Sequence, residues 1–345
     1  MCRDKRIIIT TYVFKKYAKK EENMQRRDFL LGAGGAALAC AFPAMAKSTF
    51  PNRPITLYCP FTAGGATDQI MRLLATSMSK TLGQSVVIEN KPGAGGTLPA
   101  LTMRTAAPDG YTLTQVPIGM LRLPHMQAKK TFNPIEDFTF VCNVTGYTLG
   151  LVVPADSSFK SVHDVVAFAK ANPGKLNYGS TGIAASPNLL LAEFTNLAGI
   201  DLTHVPYKGD ADMLLALLGK QVELGTGTAS FAPYVNNGQL RLLATYGGKR
   251  SEDWPEVPTL KELGYNVVSD SPWGIAGPKG MDPQVTEILA TSIQAALQEP
   301  AVVDALKRFS QPAIYVPPQK YAAWAKEMYQ QEKAMVDRMG LANSM

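Results

Sequence analysis

The chain has 345 residues, 46% of them hydrophobic and 8% aromatic, which is enough for two domains with substantial cores. The formal net charge is +6, but residues 1–46 carry nine Lys/Arg against four Asp/Glu, and the remaining residues carry 25 against 24. A nucleic-acid-binding protein needs a basic face in its folded part, and no cluster of Lys or Arg follows residue 46. This charge distribution excludes that class.

Residues 1–46 are typical of an export leader. Arg26-Arg27 precedes an apolar stretch, residues 30–42, and Ala44-Met45-Ala46 supplies an A-x-A cleavage site. The stretch is shorter than the ~20 residues of a membrane-spanning helix, which favours a leader cleaved near Ala46 and a periplasmic protein. Met24 is an alternative start, and Cys40 leaves lipidation open.

Two successive segments combine a short strand, a glycine-rich loop and a helix. The apolar run 55–59 predicts a strand, Gly64-Gly65 a turn, and Thr67 the N-cap of a helix with Ile70 on its apolar face. A plain tight turn is the ordinary explanation of one such loop. A second copy, in which residues 86–88 precede residues 93–97, favours a ligand cradle.

In the second copy, Thr97 is the predicted N-cap of a helix that extends to about Ala107. A helix that begins directly after a glycine-rich loop presents unpaired N–H groups and the positive end of its dipole. The two loops therefore predict an anion site at the carboxyl ends of neighbouring strands.

The remaining chain continues the alternation of strands and helices, which predicts an α/β fold of two lobes around a cleft. One lobe is predicted to contain residues 47–148 and 270–345, and the other residues 149–269. The predicted strands are 111–116, 138–144, 175–178, 203–207, 222–224 and 240–245, with crossings near 149–154 and 267–275. The predicted helices are 161–171, one opened by Ser186 as N-cap, 210–218, 283–298, 301–309 and 318–339.

The cysteines and histidines indicate no metal or cofactor site. Cys59 and Cys142 each lie in an apolar run, so two buried thiols are favoured over the disulfide that an oxidising compartment allows. His125, His163 and His204 show no metal-binding spacing. Neither G-x-G-x-x-G nor a P-loop lysine is present, which excludes the common nucleotide-binding loops.

Six motifs together resemble the Bug family, the periplasmic solute receptors of tripartite tricarboxylate transporters. The motifs span nearly all of the chain after the leader: residues 60–68, 89–96, 107–113, 172–180, 204–209 and 255–259. The resemblance implies a type II periplasmic-binding fold, a small organic carboxylate as ligand and the membrane permease subunits of such a transporter as partners. No cofactor and no nucleic acid are expected, and a monomer is expected.

A cleft of backbone N–H groups and hydroxyls suits a carboxylate, because charge-assisted hydrogen bonds are the stronger ones. The ligand-binding residues expected from the loops and the resemblance are Phe61, Ala63, Gly64, Gly65, Thr67, Asp68, Gly93, Ala94, Gly95, Gly96, Ser180, Thr181, Gly182, Ser186, Lys208 and Asp270. Asp68 is equally explained as a helix-dipole carboxylate, and Lys208 as a solvated turn residue. A β-branched side chain at Gly64, Gly65, Gly95 or Gly96 is expected to abolish binding.

The chain departs from the commoner family pattern at two places. Ser186-Pro187-Asn188 replaces a Ser-Ser-His run, and residues 225–228 lack an acidic residue that many members carry. Loss of that partner for a ligand amine argues against amino-acid ligands, with Asp270 as a substitute. The alternative function is a hydrolase with Ser180 or Ser186 as nucleophile. The G-x-S-x-G elbow is absent and no histidine is evidently placed as base, so a non-enzymatic receptor is favoured.

Overall fold

The computed structural model describes residues 50–269 and 271–345. The predicted leader with its cleavage site at Ala46, the lipidation candidate Cys40 and the site candidate Asp270 lie outside the described residues. The described residues form one compact unit. Within these two ranges, no helix is both long enough and apolar enough to cross a membrane.

The strands of the described residues form two sheets. They are β1 (Ile55–Cys59), β2 (Val86–Asn90), β3 (Thr112–Val116), β4 (Phe138–Gly146), β5 (Leu149–Pro154), β6 (Asn177–Ser180), β7 (Thr203–Pro206), β8 (Leu224–Thr228), β9 (Leu240–Thr245), β10 (Pro272–Pro278) and β11 (Ala313–Val316). The first sheet has the order β11-β4-β10-β3-β1-β2, and the second β7-β6-β8-β5-β9. We call each sheet with its packed helices a lobe. The predicted two-lobed α/β fold is confirmed.

The helices flank both sheets. They are α1 (Ala66–Leu82), α2 (Pro99–Met103), α3 (Ile118–Met126), α4 (Pro134–Asp137), α5 (Val162–Ala171), α6 (Ser186–Ala198), α7 (Asp210–Leu218), α8 (Ala232–Asn236), α9 (Pro283–Ala296), α10 (Pro300–Arg308) and α11 (Pro318–Arg338). Several begin with proline in the first turn, where its missing N–H costs no hydrogen bond. The capping box of Ser161 and Asp164 fixes the start of α5.

Strand direction brings the loops of interest together. In the first sheet β1 runs parallel to β2 and β3, and β10 runs antiparallel to β3 and β4. In the second sheet β6 runs parallel to β7 and β8. The carboxyl ends of β1 and β2 therefore share one edge, as do those of β6, β7 and β8, and ligands of open α/β sheets bind at such edges.

The core of the first lobe begins at the predicted first strand. Ile55 and Leu57 of β1 pack with Ile70 and Leu74 of α1, and none of the four is more than 1% exposed. Burying side chains of this size contributes roughly 1.5–3 kcal/mol each, which holds α1 against β1. The loop between them is thereby fixed at both ends.

The two remaining cysteines are free and buried, as expected. Burial raises the pKa of the Cys59 thiol to about 12, with the nearby Phe61 N–H opposing the shift, so the thiol stays protonated and unreactive at neutral pH.

Three predicted N-caps are wrong. The N-cap of α1 is Gly65 and not Thr67, and the N-cap of α6 is Ala185 and not Ser186. Thr97 opens no long helix, because α2 begins at Pro99 and covers one turn. In each case the expected capping hydroxyl has another partner: Tyr147 for Thr67, the Ala94 carbonyl for Thr97 and Arg122 for Ser186.

Candidate functional site

The first glycine-rich loop is closed by the helix that follows it. Asp68, in the first turn of α1, accepts hydrogen bonds from the Gly64 N–H at 2.9 Å and from Asn90 Nδ2 at 2.8 Å, and it pairs with Arg72. Burial opposes ionisation, but these hydrogen bonds outweigh it and lower the pKa of Asp68 below its ordinary value. The carboxylate is therefore ionised, and its hydrogen bond from the Gly64 N–H stabilises the conformation of the first glycine-rich loop.

Thr67 belongs to a buried hydroxyl cluster between the lobes. Its Oγ1 lies 2.8 Å from the hydroxyl of Tyr147, which also accepts from Gln115 Nε2 at 3.0 Å. Tyr147 follows β4, where the chain passes from the first sheet to the second. The hydroxyl expected to cap α1 thus fixes the helix to the connecting segment.

The second glycine-rich loop approaches the other lobe with its backbone. Gly93, Ala94, Gly95 and Gly96 all have positive φ. A Cβ on Gly95 would lie 3.2 Å from the backbone nitrogen of Ala185, and one on Gly96 would lie 2.9 Å from the ring of Phe61. These positions combine a left-handed backbone with close contact, so glycine is required there.

The second lobe contributes the loop between β6 and α6. A Cβ on Gly182 would lie 3.0 Å from the Cα of Gly95, so the loop between β6 and α6 touches the second glycine-rich loop directly. Ser186 is the first residue of α6, and its Oγ accepts a hydrogen bond from Arg122 Nη1 at 3.3 Å. The lobes are therefore closed on one another.

A cavity of about 30 Å³ remains between the lobes, with space for roughly two water molecules. Of the predicted residues, Phe61, Gly95, Thr181 and Ser186 line it. It is also lined by residues that the sequence did not single out: Pro117, Ile118, Gly119, Tyr147, Leu149, Ala185, Pro187, Asp210, Thr228 and Ser271. None of the described residues that line this cavity is a lysine or an arginine.

The other predicted residues surround the cavity without lining it. Ala63 and Gly64 are exposed, and Ser180 and Gly182 are buried on either side of Thr181 in the sequence. Lys208 is exposed in the turn before α7. The remaining positions lie in the two glycine loops or behind them: Gly65, Thr67, Asp68, Gly93, Ala94 and Gly96. Asp270 is outside the described residues.

Asp210 is an ionisable residue of the cavity wall that the sequence did not single out. It opens α7, and its carboxylate accepts from the Thr228 N–H at 3.1 Å and from the Thr228 hydroxyl. An acidic group therefore does lie against residues 225–228, supplied by another element of the same lobe. The premise that this part of the cleft had lost its acid, used above against amino-acid ligands, is wrong.

The expectation that no histidine is placed beside a candidate nucleophile is also wrong. His204 Nε2 lies 2.7 Å from Ser180 Oγ, and the His204 ring stacks on Tyr178 with centroids 4.8 Å apart. Burial lowers the pKa of His204, so the ring is neutral near pH 7. Ser180 is 0% exposed and does not border the cavity. The pair therefore has the contact of a nucleophile and its base, but a molecule in the cavity does not reach Ser180.

A second cavity of about 560 Å³ is bordered by the same connecting segments and by the end of α10. It is the larger of the two, yet none of the predicted binding residues that the structure describes lines it. The small cavity is where loops from both lobes converge and where glycine backbones approach most closely. We therefore take the small cavity as the candidate site. No group of His, Cys, Asp or Glu in the described part of the chain is arranged to hold a metal ion.

Two α/β lobes that close over a small cavity at their strand ends define the class of type II periplasmic binding proteins. The model of the tripartite tricarboxylate transporter family receptor matches residues 70–341. A Cupriavidus necator protein, the UPF0065 protein in the gbd 5′ region, is 46% identical over 327 residues, covering 93% of this chain and all of that protein. The chain belongs to this receptor family, whose members are periplasmic solute-binding proteins, as the motifs predicted.

Two solved structures extend the comparison to proteins with bound ligands. The Rhodopseudomonas palustris protein Rpa4515 with adipate has a TM-score of 0.80 at 28% identity, covering 85% of this chain and 99% of that chain. MatC from Rhodopseudomonas palustris with bound malate has a TM-score of 0.78 at 27% identity, covering 83% of this chain and all of that chain.

Proposed function

We propose that this protein is a periplasmic receptor that binds a small organic carboxylate between its lobes and delivers it to the membrane permease subunits of a tripartite tricarboxylate transporter. In this proposal the leader is removed near Ala46, and the mature protein acts as a monomer. The observation that carries the proposal is the convergence of loops from both lobes on one enclosed cavity, at the strand ends where helices begin.

The chemistry of the cavity supports a carboxylate. Gly95 and the hydroxyl-bearing residues Thr181 and Ser186 border it. Such donors bind an anion without a fixed counter-charge, and a closed site strengthens each hydrogen bond by excluding water. Two structural neighbours hold malate and adipate, both small dicarboxylates.

The volume of the cavity implies that the lobes move. About 30 Å³ is too small for a molecule the size of malate, so the ligand enters when the lobes separate. Hinge closure around a ligand is the usual motion of this architecture. The short connecting segments around Tyr147 and Ser271 border the cavity and are placed to serve as hinges.

Thermal-shift screening tests the proposal. Purified mature protein is scanned against di- and tricarboxylates, aromatic acids, hydroxy acids and amino acids, and each hit is titrated by calorimetry. A ligand at 100 times its Kd is expected to stabilise the protein by about 2.7 kcal/mol. If no carboxylate shifts the melting temperature, the proposed function is wrong.

The 2.7 Å contact of Ser180 with His204 favours one second candidate, a hydrolase with Ser180 as nucleophile. No acidic side chain of the described residues hydrogen-bonds to His204, so the third member of a triad is missing in this part of the chain. Incubation with a panel of esters separates the two functions. Sustained turnover that Ser180→Ala abolishes would support the hydrolase and contradict the receptor.

A further inference from the structure

Asp210 brings a carboxylate to the wall of a cavity proposed to bind carboxylates. Its side chain is buried, with 9% of the residue exposed, and it borders the cavity together with Phe61 and Gly95 of the first lobe. The other lining residues supply backbone, hydroxyl and apolar groups. Asp210 is therefore the one ionisable carboxyl among the described residues that line this cavity.

The second lobe is shaped around this carboxylate. A Cβ on Gly227 would lie 2.4 Å from Asp210 Oδ1, so any side chain at position 227 would displace the carboxylate. The next residue, Thr228, donates to both carboxylate oxygens through its N–H and its hydroxyl. Glycine at one position and a double donor at the next keep the carboxylate in place.

The local hydrogen bonds leave part of the carboxylate unused. A carboxylate has about four acceptor positions, and Thr228 fills two of them. Ser230 Oγ lies 3.5 Å from Oδ2 and adds only a long contact. No lysine, arginine or histidine of the described residues forms an ion pair with Asp210. Asp210, which lines the cavity, thus keeps free acceptor capacity, and no ion pair among the described residues compensates its charge.

A second carboxylate in this space is disfavoured. Burial raises the pKa of Asp210 to about 6, against the lowering effect of the Thr228 and Ser230 hydrogen bonds, so the ionised form still predominates above pH 7. Two carboxylates in contact repel, and one of them must take up a proton. A hydroxyl or an ammonium group instead donates to the free acceptor positions, and an ammonium also compensates the charge.

We propose that Asp210 determines which carboxylic acids this receptor accepts. The accepted acids carry a hydrogen-bond donor, either a hydroxyl or an ammonium group, at the end that lies against the second lobe. They do not carry a second carboxylate there. This inference rests on the proposed function, because it assumes that the carboxylate of the ligand occupies the same cavity. It separates this protein from a dicarboxylate receptor.

Matched acids test the inference. The acids of one set share a carboxylate at one end and differ in the group at the other end, as do succinate, 4-hydroxybutanoate and 4-aminobutanoate. Further sets have shorter or longer chains, and one set is built on benzoate. Calorimetry at pH 7.5 is expected to show that in the best-bound set the hydroxy or amino acid binds at least about tenfold more tightly than the dicarboxylate. The ratio between the hydroxy and amino members identifies the donor.

Two variants show whether Asp210 causes the preference. Asp210→Asn keeps the size and the acceptor oxygen, and it is expected to reduce the tenfold ratio to about one, with the amino acid losing the most affinity. Asp212→Asn, in the same helical turn but outside the cavity, is the matched control and should keep the wild-type ratio. Circular dichroism confirms that both variants are folded.

The possible failures are distinguishable. If the dicarboxylate binds wild-type protein as tightly as its hydroxy and amino counterparts, or if Asp210→Asn leaves the ratio unchanged, the inference is wrong and the receptor function stands. Tight dicarboxylate binding with uptake of one proton would show Asp210 as a donor and would also contradict the inference. If no acid of any set binds, the proposed function and the inference fall together.

Discussion

The backbone N–H of Ala66, in the first turn of α1, donates across the cleft to Ser230 Oγ at a distance of 3.0 Å. Ala66 belongs to the first lobe and Ser230 to the second, and both are buried. One of the N–H groups that a helix start leaves unpaired is thus satisfied only when the lobes are closed. This hydrogen bond is a direct contribution to closure.

Replacing Ser230 with alanine removes that partner. A buried N–H without a partner costs about 1–3 kcal/mol, and the cost falls on the closed state alone because water reaches the N–H when the lobes separate. We expect Ser230→Ala to bind its best carboxylate about tenfold more weakly by calorimetry. Ser157→Ala, whose hydroxyl accepts a local N–H from Phe159 within the second lobe, is the control. Equal affinity of the Ser230→Ala and wild-type proteins would contradict a role of this contact in closure.

The ionisation of Asp210 predicts a pH dependence of stability. Burial raises the pKa of its carboxyl to about 6 from an ordinary value of 3.8, so the folded protein holds this proton more tightly than the unfolded chain. The stabilising contribution is complete below about pH 4 and is lost as the pH rises through 6. Relative to Asp210→Asn, the wild-type protein should lose about 3 kcal/mol of unfolding free energy between pH 4 and pH 7.

Urea unfolding of both ligand-free proteins at several pH values measures this difference. A difference that stays constant from pH 4 to pH 7 would show that the pKa of Asp210 is unshifted. A difference that changes in the opposite direction would mean that a cation compensates Asp210 in the folded protein.

A buried ion pair joins the helices of the first lobe behind the cleft. Arg122 of α3 donates from Nε to Glu332 of α11, and its Nη1 donates to the Ala184 carbonyl of the second lobe at 3.1 Å. Both charged residues are less than 10% exposed. Glu332→Gln leaves the guanidinium without a counter-charge, and we expect it to lower the unfolding free energy by about 3–5 kcal/mol.

The exposed Lys333–Asp337 pair on the same helix is the control. Asp337→Asn should change the unfolding free energy by less than about 1 kcal/mol, because water screens an exposed pair. Denaturant titration of the two variants decides, and equal effects would mean that burial does not set the strength of the Arg122–Glu332 pair.

Sequence patterns predicted most strands and helices because their apolar periodicity is local. The bounds of β1, α7 and β9 match the prediction, since an apolar run or a helical repeat in each is ended by glycine, proline or a polar residue. Helix α3 was missed because its residues from Ile118 to Pro124 are all buried and Pro124 lies inside it. A helix buried on every side has no polar face to reveal its period.

The candidate site was predicted only in part, because the sequence shows local motifs but not the contacts between distant elements. The glycine loops are contiguous motifs, so Phe61, Gly95, Thr181 and Ser186 were found. The contact of Asp210 with Thr228 joins two elements that only folding brings together, and so does the contact of Ser180 with His204, on neighbouring parallel strands. For Gly65 the structure shows neither backbone strain nor a close protein contact, because its φ is −70° and a Cβ there would meet nothing closer than 3.9 Å.

Lys208 is expected to contribute little to binding. Its side chain is exposed, and the residue does not border the cavity. Lys208→Ala should weaken binding of the best carboxylate by about threefold or less, with the effect disappearing at high salt, as for a charge that only attracts the anion. A loss of a hundredfold in calorimetry would place Lys208 in direct contact with the ligand.

The central claim is that the ligand binds between the lobes, and calorimetric titration of Gly95→Val with the tightest-binding carboxylate tests it most directly. A Cβ on Gly95 would lie 3.2 Å from the Ala185 nitrogen of the other lobe, and its φ of +64° disfavours a β-branched residue, so valine at this position opposes closure of the lobes. Gly65→Val, in the first glycine loop but with free space around its Cβ, is the matched control. The account predicts that Gly95→Val lowers the affinity at least about a hundredfold while Gly65→Val stays within about threefold of wild type. Wild-type affinity in folded Gly95→Val protein would show that the ligand binds elsewhere and would contradict the account.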